Sequence, residues 1–77
     1  MDLQEYRDEL ARKSLDKLSH VTSDFNNGKI GIAALRAAVN AIWWITSGLV
    51  AQDVMNVIDA ASKEVEAEYQ RRMSALK

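Results

Sequence analysis

The sequence predicts an all-α fold: three helices in an antiparallel arrangement (long helix, shorter apolar helix, long helix), completed by self-association into a helical bundle. Three observations carry that prediction. Proline is absent and glycine is confined to Gly28, Gly31 and Gly48, so only those points can interrupt a helix. Apolar residues recur at three- and four-residue spacing between them, which is the period of one helix face. β-Branched residues never alternate at period two over the length of a strand.

The first helix is expected over about residues 2–26. Leu3, Leu10, Ala11, Ser14, Leu18, Val21 and Phe25 share one face, with Glu5, Asp8, Glu9, Arg12 and Asp16 opposite. Asn26-Asn27-Gly28 supplies the stop, because glycine and asparagine tolerate the left-handed conformation that ends many helices. The second helix is expected over 30–46. Ile32, Leu35, Val39, Ile42 and Ile45 form one flank and Ala34, Ala37, Ala38 and Ala41 another. Lys29, Arg36, Asn40 and Ser47 leave only a narrow polar line, with Trp43 and Trp44 on either side of it. Thr46-Ser47-Gly48 reads as the stop, with Ser47 available to cap the third helix. That helix is expected over 49–75, striped by Val50, Val54, Val57, Ile58, Ala61, Val65, Tyr69 and Leu76, with Asp53, Asn56, Asp59, Lys63 and Gln70 outside. Glu64, Glu66 and Glu68 precede Arg71, Arg72 and Lys77, an order that suits the helix dipole, and Glu68 with Arg72 makes a favourable four-residue pair.

At 1.5 Å per residue the outer helices span roughly 35–40 Å and the middle one about 25 Å. The first is therefore expected to overhang at its start, near Arg7, and the third at its end, near Glu68 and Arg72. The 77 residues form one domain, too small to bury more than roughly 60% of its unfolded surface. There is no cysteine to supply a disulfide or thiolate site, and the one histidine, His20, cannot build a multi-histidine metal cage. Packing and oligomerisation remain as the sources of stability.

Four residues on the second helix form the candidate partner- or ligand-binding surface: Arg36, Asn40, Trp43 and Trp44. An arginine in a strongly apolar helix must reach water, an acid or an anion, and tryptophan and arginine are enriched where proteins dock. The competing reading makes the tryptophans core and pairs Arg36 with an acid on a neighbouring helix. His20 lies four residues from both Asp16 and Asp24, a spacing open to a divalent metal but more typical of a solvated charged face. The GKIG stretch at 28–31 lacks the spacing and hydroxyl of a phosphate loop. No nucleophile–base set or carboxylate pair stands out, so an enzyme is not expected, and no cofactor or metal is implied. A net charge of −1 provides no basic surplus for nucleic acid. The apolar run from 30 to 51 is long enough to span a membrane, but Arg36 and Asn40 within it argue against insertion. The largely charged opening, residues 2–9, does not resemble a signal peptide, and a cytoplasmic location is expected.

The second helix carries apolar side chains over about 200° of arc, more than two neighbours in a bundle cover. Self-association is expected through Ala34, Ala37, Ala38 and Ala41, or through Glu68, Tyr69 and Arg72 near the end of the third helix. The function class that remains is a non-enzymatic protein–protein interaction module, an adaptor or inhibitor of a larger protein, working as a homo-oligomer. Its rivals are an oligomeric binder of a small anion or nucleotide at Arg36 and a membrane-associated small protein.

Overall fold

The computed structural model of the chain describes residues 2–76, and among them every regular element is helical. Helix α1 spans Leu3–Asn26, α2 spans Ile32–Thr46 and α3 spans Gln52–Ala75. The start of α1 lies beside the α2–α3 connection, where Arg7, Asp8 and Ala11 face Gly48, Leu49, Val50 and Ala51. The end of α1 lies beside the start of α2 and the later half of α3. The chain therefore runs up, down and up, with α2 antiparallel to both neighbours. Lys77 lies outside the described residues.

Local chemistry explains each boundary. Asp2 caps α1, its carboxylate accepting from the Glu5 backbone N–H at 2.8 Å. At the other end Gly28 adopts φ 76°, Gly28 N–H donates to Phe25 C=O at 3.1 Å, and Lys29 N–H donates to Asp24 C=O at 2.8 Å. This is a Schellman closure, and it explains why α2 begins at Ile32 rather than at residue 30. Lys29 is bound to the end of α1, so Ile30 and an extended Gly31 (φ −86°, ψ 175°) must make the turn. Between α2 and α3, Ser47 (φ −57°, ψ 120°) and Gly48 (φ 79°) form a type II turn closed by Leu49 N–H to Thr46 C=O at 2.9 Å. Here the sequence expectation is corrected. Ser47 ends α2 instead of capping α3, and α3 starts at Gln52 after an extended Ala51 with no side-chain cap.

The core draws on all three helices: Leu18 and Val21 of α1, Ile32, Leu35, Val39 and Ile42 of α2, and Met55 and Ile58 of α3. Ile58, Val39 and Thr46 are wholly enclosed. The Thr46 hydroxyl donates to Ile42 C=O at 2.7 Å, so its burial leaves no polar atom unpaired. Apart from Leu3 and Leu76 at the outer ends of α1 and α3, two large residues assigned to apolar faces turn outward: Ile45 is 55% exposed and Val57 52% exposed. Each sits one residue, about 100° of rotation, from a fully buried neighbour (Thr46, Ile58) that takes the inward position. Met55, three residues before Ile58, is buried although it falls outside the expected stripe.

The helices pack unevenly. Contacts of α2 with α3 are the most extensive, those with α1 are fewer, and α1 and α3 scarcely meet. The result is elongated, 50 × 21 × 15 Å, with a radius of gyration of 13.7 Å against about 11.5 Å for a compact chain of this length. The overhangs are shorter than expected. Only the first turn of α1, with exposed Leu3 and Tyr6, and the last residues of α3, with exposed Leu76, project. Arg72 does not overhang, because its guanidinium stacks on Phe25 of α1 at 5.1 Å.

This packing sets a mutational contrast between adjacent positions. Ile58→Ala should cost about 2–5 kcal/mol, whereas Val57→Ala should cost no more than about 0.5 kcal/mol. Urea midpoints of the two variants check this, and equal losses would mean that α3 is rotated from the orientation described.

Candidate functional site

The exposed side of α2 is the candidate site. Val39 and Thr46 direct the opposite side into the core, which turns Ala33, Ala34, Ala37, Asn40, Ala41, Trp44 and Ile45 outward over about 140° of arc. All seven are exposed and none is charged. Trp44 is 75% exposed, so most of a large indole stands in water. Bulk is unevenly distributed along this face: its first half holds only alanines and its last turn holds Trp44 and Ile45.

The four candidate binding residues divide between two environments. Arg36 lies at the edge of the face and is already engaged. Its Nε donates to Glu66 Oε2 at 2.6 Å and its Nη2 to Glu66 Oε1 at 3.2 Å, while the guanidinium lies 4.3 Å from the Tyr69 ring centroid. Gln70 Nε2 adds a donor to Glu66 Oε1 at 3.0 Å. Trp43 is half-buried, and its Nε1–H donates to Asp59 Oδ1 at 2.5 Å. Asn40 and Trp44 remain on the open face. The two indoles meet edge to face, with centroids 5.3 Å apart and planes at 87°.

Asp59 corrects another sequence expectation: periodicity puts it on the solvent side of α3, but it is half-buried and serves as the acceptor for Trp43. Arg36 and Trp43 are seven residues apart on α2, and their partners Glu66 and Asp59 are seven apart on α3. The two pairs therefore share one antiparallel register, two turns apart. Neither Asp59 nor Glu66 could be identified as a partner without that register.

The self-association candidates divide as well. Ala34, Ala37 and Ala41 are exposed, while Ala38 packs against the core. Glu68 is paired with Arg71 and, at 2.8 Å, with Arg72, and Tyr69 is half-buried beneath Arg36. The second set is thus committed to contacts within the chain.

Elsewhere an open groove of about 430 Å³ runs between α1 and α3, lined by Phe25, Ile32, Leu35 and Val65 and edged by Glu64, Glu68 and Arg71. Among the described residues no buried side-chain nitrogen or oxygen lacks a partner, so no orphaned polar group points to a ligand there. No three His, Cys, Asp or Glu side chains among the described residues are grouped as metal ligands, the His20 neighbourhood included. Among the described residues, no helix is long and apolar enough to cross a membrane.

The Arg36–Glu66 pair has a pH signature. Hydrogen bonding from Arg36, and then from Gln70, holds the Glu66 carboxyl below its ordinary range, and the same bond raises Arg36. A carboxylate depressed in the folded state stabilises the protein above the unfolded value, about 4.3, and that stabilisation is lost as pH falls through the folded value. Wild type should therefore exceed Glu66→Gln in urea midpoint at pH 7, with the gap closing below about pH 4. A gap that does not change with pH would mean the pair's charge contributes nothing. Compared with protein-family models, curated proteins and solved structures, the chain matches none, so its own geometry carries the functional reading.

Proposed function

We propose that this chain is a non-enzymatic protein–protein interaction module, an adaptor or inhibitor of a larger protein, that works as a homo-oligomer through the outer face of α2. The observation that supports the reading is an uncharged helix face carrying a tryptophan that is 75% exposed. An exposed indole on a rigid helix is costly in water and well suited to docking, because it brings a large area with little side-chain entropy to lose. The anion-binding reading draws less support, since Arg36 already holds the Glu66 carboxylate with two hydrogen bonds.

Light scattering at micromolar concentration should report at least a dimer. Ala41→Glu places a charge on an exposed position of that face and should reduce the mass to that of a monomer without loss of helix by circular dichroism. An unchanged mass for Ala41→Glu would place the oligomer contact elsewhere.

A further inference from the structure

We propose that the occupant of the α2 face is a second copy of this chain, lying antiparallel across it, with Trp44 of each copy seated over Ala34 and Ala37 of the other. The inference rests on the reading of α2 as the association surface and adds the partner's orientation and register. Three observations support it.

The first is area. A compact monomer of 8.6 kDa exposes about 4,700 Å², whereas this chain exposes 5350 Å². The excess of about 650 Å² belongs to the whole elongated chain, and it is of the same order as the roughly 800 Å² that each partner buries in a standard interface. A second copy supplies that area to both chains at once.

The second is shape. The α2 face is bulky at its C-terminal end (Trp44, Ile45) and lean at its N-terminal end (Ala33, Ala34). A parallel pair would press the two tryptophans together and leave the alanine ends apart. An antiparallel pair sets each bulky end against a lean one. A two-fold axis midway between Ala37 and Ala41 does this, placing Ala37 opposite Ala41 of the second copy. Helical side chains lean toward their own N-terminus, which carries each indole across the partner's Ala34 and Ala37. Alanines at these positions permit the close approach, about 8 Å between axes, that the seating needs.

The third is charge. Helix α2 has no acidic residue in its first turn and no basic residue in its last, whereas α3 has both Asp53 and Arg72. Its end charges are met within the chain only by the opposite ends of α1 and α3, not by its own side chains, and on its outer flank they have no counterpart. In the antiparallel pair each positive N-terminus lies against a negative C-terminus, while a parallel pair would set like ends together.

The chain has no cysteine, so introduced thiols report the register without background. Ala37→Cys and Ala41→Cys chains, one carrying a size tag, are mixed under mild oxidation, with light scattering of the untreated proteins alongside. The expected result is a cross-link between the two variants, in several-fold excess over either variant with itself. Like positions would be staggered by about 6 Å along the axis in addition to the gap between the two helices, which disfavours their disulfide against that of the directly opposed pair. Trp44→Ala should raise the dimer dissociation constant at least about tenfold. Cross-links of like with like in a protein that still scatters as a dimer would overturn the antiparallel register alone. An unchanged dissociation constant for Trp44→Ala would overturn the seating of the indole. A wild-type monomer at about 100 μM, far above the expected constant, would overturn both the register and the homo-oligomer, leaving the face to a foreign partner.

Discussion

Everything in this molecule depends on the burial of one side of α2. Helices α1 and α3 meet little beyond the stacking of Arg72 on Phe25, so each is fixed mainly by what it packs against in the middle. Val39, Thr46 and Ile58 are the fully enclosed residues of that junction. Thr46 belongs there because its hydroxyl returns to the Ile42 carbonyl, which lets a polar side chain occupy an apolar position. A single short helix thus carries the core on one side, and the same rotation that buries Val39 turns Trp44 to solvent.

The polar contacts between α2 and α3 sharpen this packing without driving it. Arg36–Glu66 is partly exposed and Trp43–Asp59 half-buried, and exposed ion pairs contribute little net energy. Their effect is on register. Two directional contacts two turns apart admit one axial position of α3 against α2, whereas an apolar ridge alone would tolerate sliding. Specificity of register is what a short helix between two longer ones most lacks.

Much of this was legible in the sequence. The number of helices, their order and the role of Gly28 follow from periodicity and from the absence of proline. So did the width of the apolar arc on α2, of which Ala34, Ala37 and Ala41 form the exposed part. The start of α3 was not legible, because Ser47 has the chemistry of an N-cap and only the conformation at Gly48 shows that it closes a turn instead. The exposure of Ile45 and Val57 was hidden for another reason. Residues at the margin of a stripe are buried or bare according to a helix rotation that its neighbours set, and one step of 100° separates the two outcomes. Asp59 and Glu66 needed the α2–α3 register, which is a tertiary quantity absent from any one segment.

The scant contact between α1 and α3 also grades the molecule's cooperativity. Opening free energies within a protein follow how much each element buries, and α1 buries chiefly Leu18 and Val21 against a neighbour already occupied on its other flank by α3. Helices α2 and α3 form a hairpin held by the deeper part of the core and by both polar pairs. The first subglobal opening expected from this packing is the release of α1 from that hairpin, which would uncover Leu35 and Val39 while Trp43 stays bonded to Asp59.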